Sequence, residues 1–162
     1  MRRLWYDHVS RTRSYVVSAL GSLPDEATVA AHLQANQDQI GAAFGEHYGR
    51  AAGAHLAKLL HEHIDIAVSL VGAFKARAPA ETLVARWYAN ADEISAYLGS
   101  VNPYWQGTAP RDMMREHLGT TTAFLKARLA GDWAGAEPLY DRVVSLALRM
   151  ADMLTDGIEA RR

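Results

Sequence analysis

The sequence contains no cysteine, which removes disulfides, thiolate metal sites, iron–sulfur clusters and cysteine nucleophiles together. Any metal site must therefore draw on His, Asp, Glu or water. Excess charge is also missing: 17 Lys and Arg stand against 18 Asp and Glu, a formal net charge of -1. No whole-chain field draws such a protein to nucleic acid or to an anionic membrane. Long apolar runs are absent too. The most apolar stretch, Ile64 to Phe74, follows His61, Glu62 and His63 and is well short of the roughly 20 residues that span a bilayer. At the start of the chain, Asp7, His8, Arg11 and Arg13 come before any apolar run could form the core of a secretory signal, so a cytoplasmic protein with no membrane partner is expected. Neither a G-x-x-x-x-G-K-[ST] nor a G-x-G-x-x-G phosphate loop occurs, no serine has a G-x-S-x-G setting, and the E-x-x-H pairs of di-iron bundles are missing.

What remains is helical. The 162 residues, 49% of them hydrophobic, suffice for one core and one domain. Six segments show a period near 3.6, punctuated by glycine, proline and small polar residues. Helix 1 is expected from about Leu4 to Leu20, and helix 2 from about Asp25 to Phe44, closed by a glycine-rich turn Gly45 to Gly49. Helix 3 continues to about Ala76, Pro79 opens helix 4, helix 5 follows from Arg111, and helix 6 lies beyond Gly131 and Asp132. The expected fold is all-α, an up-down bundle of three αα-hairpins spanning about 4–48, 50–99 and 110–159, with helices 1, 3 and 5 parallel.

The hairpins read as three copies of one unit. Leu4-Trp5-Tyr6-Asp7-His8, Leu59-Leu60-His61-Glu62-His63 and Met113-Met114-Arg115-Glu116-His117 each present two apolar residues, a spacer, an acid and a histidine. The histidines are 63 - 8 = 55 and 117 - 63 = 54 positions apart. On the second helices, Asn36-Gln37-Asp38 matches Asn90-Ala91-Asp92 and, more loosely, Met150-Ala151-Asp152, the aspartates being 92 - 38 = 54 and 152 - 92 = 60 apart. The six additional residues of the third copy are expected in a longer loop, Asp132 to Pro138.

Measured from the turns, His8 and Asp38 sit at one level, about 22 Å up their helices, and His63 with Asp92 and His117 with Asp152 follow suit. The histidines lie on the apolar stripes, while Asp7, Glu62 and Glu116 fall about 100° round. Neutral imidazoles are common ligands of Zn, Fe, Mn, Cu or Ni, and a carboxylate on the far ring nitrogen fixes the tautomer. His8, His63, His117, Asp38, Asp92, Asp152, Glu62 and Glu116 are thus the candidate metal residues, in a divalent-metal-binding bundle of the kind that serves as a small metalloenzyme or handles oxygen or metal. The competing reading is a non-catalytic structural or partner-binding bundle, in which each histidine bonds its own aspartate in a buried polar layer. An organic small molecule in the same layer is a third possibility. His61, His32, His47 and His55 are weaker candidates, and the sequence leaves the oligomeric state open.

The segments LWYDHVSRTR, WYANADEISAYL, REHL and RMADMLTDGI resemble a family of small bacterial helical proteins, mostly of unassigned function, over nearly the whole chain. His8, Arg13, Asp92, Glu93, Glu116 and His117 match its motifs, Arg11 replaces a tryptophan, and Asp38 stands one place before the family's acid. Some members carry a glutamate-kinase label, for which this sequence holds no phosphoryl-transfer signature. The resemblance implies a helical bundle and these positions rather than an activity.

Overall fold

In the computed structural model, which describes residues 1–161, the described residues form six helices and no strand: α1 (Arg2–Gly21), α2 (Glu26–Tyr48), α3 (Arg50–Lys75), α4 (Glu81–Val101), α5 (Ala109–Leu129) and α6 (Trp133–Ala160), with a 3-10 turn at Pro103–Trp105. No helix among the described residues is long and apolar enough to cross a membrane.

The three odd-numbered helices stop in the same way. Ser22 and Arg77 adopt left-handed conformations, φ 51° and 53°, and Gly131 has φ 73°. The next residue in each case donates back five positions: Leu23 to Ser18, Ala78 to Ala73 and Asp132 to Ala127. This wrap satisfies carbonyls that a helix end leaves open. Each left-handed residue stands 14 positions after a histidine, 22 - 8, 77 - 63 and 131 - 117. The turns therefore put all three histidines at one level above the same end of the bundle.

Each helix runs antiparallel to its sequence neighbours, and α6 returns to α1, closing a ring. The pairings show the direction: Asn36 meets Leu4, Asn90 meets Leu59, and Arg2 meets Asp152 while Arg13 meets Glu137. Inside the ring α3 touches both α1 and α5. The apolar faces form two clusters. Tyr15, Val16, Leu33, Ile64, Val71, Phe124 and Leu125 lie toward the turn end, whereas Trp5, Phe44, Leu56, Trp87, Leu98, Trp105 and Leu154 belong to the larger cluster beyond. The histidine level lies where the two meet.

Two expectations are corrected. The turn Gly45 to Gly49 is helical as far as Tyr48, and only Gly49, at φ 93°, breaks the chain. The other glycines let α2 and α3 close on each other: a Cβ on Gly41 would lie 2.7 Å from both the Gly53 carbonyl oxygen and the Ala57 Cβ. The six additional residues of the third hairpin do not form a loop. Asp132 caps α6 by accepting from Gly135 N–H at 2.9 Å, and Pro138 lies inside the helix, close enough to its start that the bond it cannot make falls on Ala134, which is exposed and can bond water instead.

Candidate functional site

His8, His63 and His117 are 4%, 3% and 5% exposed, and all three line one cavity of about 40 Å³, room for a few waters. The His8 and His117 ring centroids are 6.2 Å apart. Above them the walls are apolar, with Val16, Leu33, Val71, Phe74 and Leu125, and Thr12 and Thr121 stand one helical turn beyond His8 and His117. No charged side chain contributes to the lining. The expectation of a shared inward histidine layer therefore holds.

The aspartates do not join it. Asp38 binds His61 at 2.8 Å, Asp92 binds Arg115 and Asp152 binds Arg2 at 2.7 Å, with the carboxylate side chains 36% to 69% exposed. Each aspartate thus ties its hairpin to the first helix of the next, around the ring. The pairing of each histidine with the aspartate of its own hairpin is corrected: the inward residue lies two positions earlier. Asn36, Asn90 and Met150 are 0%, 4% and 2% exposed. Glu116 pairs with Arg142 and Arg149, Glu62 faces Arg86 at 3.9 Å, and Asp7 faces Arg3 and Arg11 on its own helix. None of these acids is bonded to His8, His63 or His117. The remaining histidines stay outside the layer. His61 bonds Gln34 and Asp38, His55 packs on Tyr97 at 4.4 Å, and His32 and His47 are exposed.

The three hairpins differ in how they hold their histidine. Asn90 Nδ2 donates to the Leu59 carbonyl at 3.1 Å, which turns Oδ1 toward His63 Nδ1 at 2.8 Å. Because that oxygen can only accept, His63 carries its proton on Nδ1 and leaves Nε2 bare. Asn36 makes the matching bond to the Leu4 carbonyl at 3.1 Å, but here Gln37 intervenes. Its Nε2 donates to the Leu33 carbonyl at 2.9 Å and lies 3.3 Å from both Asn36 Oδ1 and His8 Nδ1. In the third hairpin Met150 offers no amide, and His117 Nδ1 is sealed without a partner.

No Nε2 of the three has a hydrogen-bond partner among the described residues, yet none is among the atoms sealed from solvent without one. Each Nε2 is thus unpartnered but not sealed, on side chains that line the cavity. Burial lowers all three imidazoles, His8 to about 3, His63 to about 4 and His117 to about 3, with the neighbouring histidines adding to the effect at His8 and His117. They are neutral imidazoles over the physiological range. Among the described residues no three His, Asp or Glu side chains are already drawn together around a point that could hold an ion.

Asn36, Asn90 and Met150 were missed as site residues because helical phase does not separate them from the aspartates, and Gln37 was read only as part of the apolar stripe. In α2 and α4 the Asn and the Asp flank the central stripe residue, Gln37 or Ala91, by about 100° on opposite sides. The two also differ in level by only about 3 Å. The chemistry of the site offered the signal that phase did not: an amide satisfies a buried neutral imidazole without burying a charge. Compared with known proteins, the chain matches no family model, no curated protein and no solved structure.

Proposed function

We propose that the protein is a divalent-metal-binding helical bundle whose ligands are His8, His63 and His117. The observation that carries this reading is the set of three neutral imidazoles that line one cavity and whose Nε2 atoms have no partner among the described residues. Three histidines leave coordination positions open for water or substrate, which is compatible with a small metalloenzyme or a protein that handles oxygen or metal. The outward carboxylates drop from the proposed ligand set, and an all-imidazole set suits Zn, Fe, Cu or Ni better than Mn. His63 is the best-prepared ligand, since Asn90 orients it as an outer partner orients a metal-bound histidine. His117 is less prepared: a proton on its sealed Nδ1 has no acceptor, which costs about 1–3 kcal/mol. We also propose that the hairpins are copies of one unit, cytoplasmic and akin to the small bacterial helical proteins they resemble.

A structural layer is the second reading, favoured by the bonds of His63 to Asn90 and of Gln37 to His8. Thermal unfolding with and without chelator separates the two. A bound ion stabilises by about 2.7 kcal/mol at a hundred times its Kd, so chelation lowers the melting temperature and zinc restores it. A melting temperature indifferent to both favours the structural layer.

A further inference from the structure

The amide of Gln37 has a fixed direction. Its Nε2 lies 2.9 Å from the Leu33 carbonyl oxygen, so turning the amide over would set oxygen against oxygen. An NH2 group pointed at an imidazole nitrogen requires that nitrogen to be bare, because two N–H groups cannot bond each other. The remaining N–H lies between Asn36 Oδ1 and His8 Nδ1, with Nε2 3.3 Å from each, and His8 Nδ1 is the imidazole nitrogen it faces. We propose that Gln37 holds His8 in the Nε2–H tautomer, opposite to His63, so that the cavity meets an imidazole donor from α1 and an imidazole acceptor from α3.

Gln37 is thereby a positioning residue for His8. As it stands, Gln37 Oε1 is sealed without a partner. Turned over, the oxygen would accept from His8 Nδ1–H but would face the Leu33 carbonyl oxygen. Each orientation leaves one group poorly served. His8 Nε2 becomes a ligand only after its proton moves to Nδ1 and the amide turns. This step sets the affinity of the metal site, and to that extent the inference rests on the metal reading. Neither of the other hairpins carries it, because Ala91 and Ala151 occupy the matching position.

Ring-nitrogen NMR of the metal-free protein tests the proposal. A protonated and a bare imidazole nitrogen resonate far apart, so long-range proton–nitrogen correlations assign each tautomer. The expected result is Nδ1–H at His63 and Nε2–H at His8; Nδ1–H at His8 overturns the proposal. In Gln37→Leu, His8 is expected to lose its single tautomer while His63, held by Asn90, keeps its own, and zinc binding is expected to tighten about 10-fold, the low end of outer-partner effects. Unchanged His8 signals in a folded Gln37→Leu variant would also overturn it. If neither protein takes up zinc, the metal reading fails, and the wild-type tautomers still decide this proposal.

Discussion

Replacing Asn90 with alanine removes a side chain that is 4% exposed and makes two bonds, donating to the Leu59 carbonyl at 3.1 Å and accepting from His63 Nδ1 at 2.8 Å. The Leu59 carbonyl keeps its helical partner, so its loss is small. The His63 N–H has no other acceptor and becomes a buried, unpaired donor, which costs about 1–3 kcal/mol, and the small cavity left by the amide adds to this. The expected total is about 2–3 kcal/mol. Asp92→Ala, two residues along, removes only an exposed pair with Arg115, worth about 0–1 kcal/mol once solvent screening is allowed for. Urea unfolding of the metal-free protein distinguishes them: with a slope near 2 kcal/mol/M, Asn90→Ala should lower the midpoint by about 1 M and Asp92→Ala by less than about 0.5 M. Equal losses, or a larger one for Asp92→Ala, would return the aspartate to the histidine layer and refute the placement argued above.

Further outcomes follow from the same geometry. Because the native imidazoles are lowered from 6.5 to about 3, 4 and 3, the unfolded chain binds more protons than the native one between those values. Stability is therefore complete above about pH 6.5 and falls as the pH drops, by up to about 1.4 kcal/mol per unit for each histidine; urea midpoints of metal-free protein that do not change between pH 7 and 5 would contradict this. Gly53→Ala places a Cβ against the Gly41 carbonyl and 2.9 Å from Gly45 Cα, and is expected to destabilise by about 1–3 kcal/mol, with an unchanged melting temperature as the contrary result. Met150→Asn, which supplies His117 Nδ1 with the amide the other hairpins have, should be more stable than Met150→Ala by about 1 kcal/mol and should fix the His117 proton on Nδ1 in the same NMR experiment.

The parts of the fold legible in the sequence were those that one strong periodic signal determines. The helices, their order and the histidine level followed from apolar stripes and turn residues, and Ser22, Arg77 and Gly131 show why the level held: each histidine is a fixed 14 residues from its turn. Asp38, Asp92 and Asp152 recur for a different reason from the one expected, since each binds the next hairpin rather than its own histidine. Spacing reports recurrence but not which of two neighbouring polar residues turns inward. The longer loop expected over Asp132 to Pro138 is instead the first turns of α6, because a proline near a helix start leaves only an exposed carbonyl unpaired.

Elemental analysis of untagged protein purified without chelator tests the central claim most directly. A stoichiometric first-row divalent metal that is lost in a folded His63→Ala variant is expected, and protein that is metal-free and takes up none on titration would contradict the metal site.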